Sequence, residues 1–133
     1  MIRLLVAAAA SVIATTASAA TPPALCPNGE IAIVRISKIA PGGSMEGFKA
    51  AMADHAKWYS DHGYTADREV LAPVIVSDPS HKDWSIAQDQ VVTLHTHAQH
   101  VPDDKHDAGW DKFVAEYRAN SQIVQEAMIC LPK

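Results

Sequence analysis

Most of the motifs that would name a function outright are missing from this 133-residue chain. It contains no Gly-x-Ser-x-Gly elbow, no phosphate-binding glycine loop and no dinucleotide fingerprint, so nothing in it points to a serine hydrolase or to nucleotide chemistry. Basic residues are short: 11 Lys and Arg face 15 Asp and Glu, for a formal charge of −4. With no basic block, neither nucleic acid nor an anionic membrane surface is an expected partner. Past the first twenty residues, no apolar run is long enough to span a bilayer. There is no internal repeat, low-complexity tract or linker. Cysteine is scarce, at Cys26 and Cys130 only, and neither looks free for catalysis.

Residues 1–20 are expected to be a secretory signal peptide. Arg3 supplies the positive n-region, and Leu4 to Ala14 is an apolar core too short to cross a bilayer comfortably. Ala17-Ser18-Ala19 is a small-x-small cleavage signal, with Ser18-Ala19-Ala20 as an equal candidate; a retained N-terminal anchor is the alternative. No cysteine occupies a lipoprotein-like position, since Cys26 lies past Thr21-Pro22-Pro23. Residues 21–133 then form one small domain, mildly acidic, in the periplasm or secreted. In an oxidising compartment an even pair of cysteines predicts a Cys26–Cys130 disulfide, with two buried free thiols as the alternative. The bond would close a loop of about 100 residues, worth up to ~4–5 kcal/mol in the chain-entropy model. It would also hold the two segments within about 6 Å, Cα to Cα.

Along the domain, Ile31 to Ile39 is β-branched and bounded by Pro27-Asn28-Gly29 and Pro41-Gly42-Gly43, which predicts a first strand. Ser44 can cap a helix in which Phe48, Met52, His55, Ala56, Tyr59 and His62 recur at helical spacing, with Gly63 as the stop. Val70 to Val76 predicts a second strand, and Pro73 argues for an edge position or a bulge. Ser77 to Asp83 is turn chemistry, and a third strand runs from about Trp84 or Gln90 to His97. Asp104 or Asp107 can cap a second helix with a buried stripe of Trp110, Phe113, Val114, Tyr117, Ser121 and Val124. Ala127 to Leu131 is a short last strand or a helix tail. The order strand, helix, strand, strand, helix, strand predicts an α+β, ferredoxin-like βαββαβ sandwich, with two helices on one face of an antiparallel sheet. Its last strand lies antiparallel beside the first, which brings Cys130 to Cys26 by a route independent of thiol chemistry.

The size, this order and the segment Ala53-Asp54-His55-Ala56-Lys57-Trp58-Tyr59-Ser60-Asp61-His62-Gly63-Tyr64 resemble the dimeric α+β barrel superfamily. That group includes antibiotic-biosynthesis-monooxygenase-like, stress-responsive barrel and NIPSNAP-like proteins. The resemblance implies a homodimer packed sheet to sheet, with a small-molecule pocket between sheet and helices. The activities it implies are cofactor-free oxygenation, cyclisation, dehalogenation-type steps and haem breakdown. The Asn, Trp and His set of the haem-degrading members does not map onto this chain residue by residue.

Candidate chemistry centres on Val91-Val92-Thr93-Leu94-His95-Thr96-His97-Ala98-Gln99-His100. Alternation puts His95 and His97 on one strand face with Val91 and Thr93, while Val92, Leu94 and Ala98 form the greasier face. A face carrying Thr93, His95 and His97 is too polar for a tightly packed core unless a cavity, a wet dimer interface or a metal explains it. As a metal site, His-x-His lacks a clearly placed third ligand, although His55, His100 or His106 could serve. His81, His100 and His106 otherwise read as solvated. His55 lies near the centre of the first helix's apolar stripe and His62 on the same side; Tyr59 can line a pocket beside His55 or simply fill core. Trp58 can wall a pocket for an aromatic ligand or sit partly buried at an interface. Arg35 interrupts an apolar strand and can pair with an acid such as Glu69 or fix an anionic ligand bidentately.

The leading expectation is an exported small-molecule enzyme using histidine general acid–base chemistry on an apolar or aromatic substrate, with no cofactor. The step would be of lyase, isomerase or monooxygenase type. His95 or His97 is the first candidate for the acid or base and His55 the second, with Tyr59 as auxiliary donor and Trp58, His62 and Arg35 as binding residues. The rivals are a non-enzymatic periplasmic binding or interaction protein, and a metal or haem binder through His95 and His97.

Overall fold

A computed structural model describes residues 26–132, so the expected signal peptide at 1–20 lies outside the described residues. Strand β1 (Gly29–Ile39) is the β-branched run. Gly42, in the left-handed region at φ +84°, turns the chain into helix α1 (Met45–Asp61). Ser44 caps α1 by accepting from the Gly47 N–H at 2.9 Å, and Gly63 ends the helical path at φ +87°. β2 (Arg68–Ser77) and β3 (Trp84–Thr96) form a hairpin. A short 3₁₀ turn (Asp103–Lys105) precedes helix α2 (Ala108–Asn120), whose N-terminus Asp107 caps by accepting from the Gly109 and Trp110 N–H groups. The chain then passes straight into β4 (Ser121–Pro132).

Among the described residues, the four strands form one fully antiparallel sheet in the order β2-β3-β1-β4. This α+β arrangement is compatible with a ferredoxin-like fold. β2 is an edge strand, and its ladder with β3 breaks between Pro73 and Ile75, so Pro73 sits where its missing donor costs least. At the other edge, a disulfide joins Cys26 to Cys130 with Cα atoms 5.5 Å apart. It clamps the start of β1 to the end of β4, where Ile31 pairs with Cys130.

The helices lie over the sheet face that carries Val91, Thr93 and His95, all nearly fully buried. α1 contributes Phe48, Ala51, His55, Trp58 and Tyr59 to the interior, and α2 contributes Phe113. The strand registers place two rows of side chains on this face. Glu69, His95, Ile33 and Met128 run across it in one row, and Leu71, Thr93, Arg35 and Glu126 in the next. The opposite face alternates with these rows and presents Val70, Leu94, Val34 and Ala127, then Ala72, Val92, Ile36 and Gln125.

Two expectations need correction. Ser121 and Val124 do not continue the second helix; they open a twelve-residue strand. Their spacing fits a helical stripe, but β1 offers Ser121 to Pro132 a complete ladder, and pairing outweighs local periodicity. Asn120 fixes the switch: its carbonyl accepts from the Ala40 N–H at 2.9 Å and its side chain accepts from Ser44 N–H at 3.0 Å. The second correction concerns His97. β3 ends at Thr96, and His97 turns into the left-handed region at φ +53°, so alternation with His95 is lost.

Candidate functional site

Between the helices and the sheet lies a cleft of about 580 Å³, within the usual range for small-molecule sites. The row Glu69, His95, Ile33, Met128 runs beneath it, α1 contributes His55 and Tyr59, and α2 contributes Phe113 and Tyr117. Its β4 side is uncovered, since Met128 is 63% exposed and Ile123 51%. The cleft is therefore open along the β4 edge of the sheet.

Two histidine–carboxylate pairs meet in this cleft. His55 Nδ1 lies 3.1 Å from Glu69 Oε2, and Tyr117 Oη donates to the same oxygen at 3.0 Å. His55 Nδ1 also lies 3.3 Å from Tyr117 Oη. Because the phenol proton goes to Glu69, the imidazole N–H is shared between the two oxygens. His95 Nε2 is hydrogen-bonded to Asp67 Oδ2, with both side chains only 5% exposed. The carboxylates thereby fix opposite tautomers when the rings are neutral: Nδ1–H in His55 and Nε2–H in His95. His55 Nε2 and His95 Nδ1 have no protein partner among the described residues. The two rings stand edge to face with centroids 5.5 Å apart. Phe113 stacks on His55 at 4.8 Å and Tyr59 meets its edge at 4.7 Å, so the ring orientation is fixed by packing as well.

Burial alone would raise the Glu69 carboxyl, but the His55 hydrogen bond and charge, with the Tyr117 hydroxyl, outweigh it and hold the group below its ordinary value. Burial and the Asp67 charge push Tyr59 up to about 12, and burial with the Glu69 charge and hydrogen bond pushes Tyr117 higher still. Both phenols stay protonated across the physiological range; Tyr117 donates to Glu69, and neither serves as a base.

Of the residues singled out in the sequence, His95, His55 and Tyr59 come together and Arg35 lies in the adjacent floor row. Arg35 pairs with Glu126 at 2.6 Å rather than with Glu69, because Glu126 is its cross-strand neighbour on β4. His97 stands apart on an exposed loop, where Glu30 accepts from its backbone N–H at 2.6 Å and lies 3.2 Å from its ring. Trp58 and His62 also belong elsewhere. They stack at 4.0 Å, the Trp58 indole donates to Asp107 at 2.6 Å, and His62 Nε2 lies 3.2 Å from the same carboxylate. That clasp ties the end of α1 to the start of α2. The N–H of Trp110 and the Trp58 indole hold Asp107 down at about 2. His100 borders the cleft mouth, whereas His106 is not solvated but stacks on Trp110 at 3.9 Å.

Sequence reasoning did not single out Asp67, read Tyr117 only as part of the buried stripe of the second helix, and offered Glu69 as an example of an acid for Arg35, where the structure pairs Arg35 with Glu126. Asp67 and Glu69 bracket Arg68 at the entry to an edge strand, a spacing that sends alternate side chains one way. Only the β2–β3 register reveals that Glu69 faces His95.

Among the described residues, no three His, Cys, Asp or Glu side chains converge as a metal centre requires, and no helix is long and apolar enough to cross a membrane. No protein-family model matches the chain, and neither a curated protein nor a solved structure matches it.

Proposed function

We propose that the cleft is the active site of a cofactor-independent enzyme that moves a proton on a small, largely apolar substrate, in an isomerase or lyase reaction. The observation that carries this reading is the pair of buried histidines, each oriented by its own carboxylate, with unpartnered nitrogens in one apolar cleft. One imidazole takes a proton from carbon, becoming an imidazolium that its carboxylate stabilises, and a proton is returned to the same molecule by that ring or by the other. Where the two rings exchange roles, proton exchange with solvent resets them between turnovers. Tyr59 supplies a neutral donor for oxygen charge that develops in the substrate. Turnover separates this reading from that of a non-catalytic binding protein.

A ferredoxin-like, dimeric α+β barrel protomer, exported to an oxidising compartment, accords with this reading. The strand order, the apolar outer sheet face and the Cys26–Cys130 bond support it.

The test is solvent-deuterium incorporation. Compact aromatic carbonyl compounds are incubated with the protein in deuterium oxide, and exchange at carbon is followed by mass spectrometry. Protein-dependent exchange is expected, falling about 100-fold or more in His95→Gln and His55→Gln variants that keep the wild-type circular dichroism. Binding without exchange, or exchange unchanged in both variants, would overturn the reading.

A further inference from the structure

We infer that the cleft selects a substrate bearing a carboxylate, and that Arg35 is the residue that reads it; this rests on the cleft being a substrate site.

Arg35 stands on β1, in the interior of the sheet, and its side chain lies on the helix-covered face between the Ile33 and Ser37 positions. A guanidinium there is costly to desolvate unless something uses it. Its side chain is 26% exposed, so it is largely withdrawn from water yet open toward the cleft. The Glu126 partner does not saturate it. Contact is made through Nε alone at 2.6 Å, and neither terminal amino group has a hydrogen-bond partner among the described residues. Glu126 is 46% exposed on the uncovered edge strand, where an ion pair contributes little and can be exchanged. An incoming carboxylate can take two parallel N–H bonds on the free side of the guanidinium, a geometry a neutral group cannot match.

The site also fixes where the rest of that substrate goes. Arg35 pairs with Thr93, and His95 lies two residues along the same strand on the same face. Such diagonal neighbours have Cα atoms about 7–8 Å apart. A carboxylate on Arg35 therefore leaves room for a short apolar body that ends at the two imidazoles. Arg35 opposes the larger effect of the Asp67 charge on Tyr59 and of the Glu69 charge on Tyr117, so its field reaches the same cleft. The other charged groups around it are Glu126, Glu69, Asp67 behind His95, and the exposed Arg118, which borders the cleft from α2. Arg118 adds a second positive charge at the entrance and draws anions inward.

Binding, not turnover, tests this, so the outcome is independent of whether the histidines catalyse. Phenylacetate and 3-phenylpropanoate are titrated into the full protein by NMR, each beside its own primary amide. At least one acid is expected to bind about tenfold more tightly than its amide, with shifts at Arg35 and His95. Arg35→Gln should bring acid and amide within about twofold, while Glu126→Gln, which removes the competing carboxylate, should strengthen acid binding. Both variants are checked for wild-type thermal unfolding, and Glu126→Gln keeps the question answerable if Arg35→Gln does not fold. Equal binding of acid and amide, no binding of either acid, or an acid preference that survives in Arg35→Gln would overturn the assignment.

Discussion

A single hydroxyl, that of Tyr117, shows how the site depends on exact partners. It donates to Glu69 and sits beside the shared imidazole proton of His55. Glu69 is held below its ordinary 4.5, so its folded environment adds stability above that pH. This contribution fades as pH falls through the lowered folded value. Tyr117→Phe removes one of the bonds responsible. Stability at pH 7 is expected to drop by about 1.5–3 kcal/mol, by urea unfolding, and the difference should shrink as pH falls through the lowered Glu69 value. A loss that stays the same across the whole acid range would show that packing, not the carboxylate, is what the hydroxyl supports. At this scale the sequence was legible where one periodicity decides. His55 falls on the buried stripe of α1, and His95 alternates with Val91 and Thr93. His97 was not legible, since alternation holds only while the backbone stays extended and a positive φ at one residue ends it.

Elements were legible in kind and less so in extent. The first strand, first helix and hairpin follow from β-branched runs, caps and turn residues that act locally. β4 does not: Ile123, Val124 and Met128 suit a helix tail or a strand, and the choice belongs to the ladder with β1. The Cys26–Cys130 bond acts on that same ladder. It spans 104 residues of sequence, so replacing both cysteines by Ala should cost up to ~4–5 kcal/mol by the chain-entropy model. Hydrogen exchange should report the earliest opening in the Gly29–Ile31 and Cys130–Pro132 stretch, with β2 and β3 protected as before. Uniform loss of protection would mean that the bond supports the whole sheet rather than its clamped edge. Register was the least legible feature, and with it went the identity of the Glu69 and Arg35 partners, which depends on strands far apart in sequence.

The whole molecule has one sheet face under helices and another bearing Val34, Val70, Leu94 and Ile129, with Val70 55% exposed and Ile129 36%. An apolar sheet face of this kind is expected to be covered by a second copy. Light scattering at micromolar concentration should give twice the protomer mass, and Leu94→Glu, at the centre of the face, should give a folded monomer. A wild-type monomer would remove the barrel assembly and leave the protomer fold intact. The disulfide has a further consequence at this scale. Because it joins Cys26 to Cys130, the peptide chain between them is a covalent ring. A protease that nicks a connecting loop linearises the ring without dividing it. Both halves of the sheet, and the histidines each carries, then stay tethered and can re-pair as one molecule. In an environment rich in proteases, a first cut would leave the cleft mendable, and only a second cut or a reductant would let its two sides drift apart.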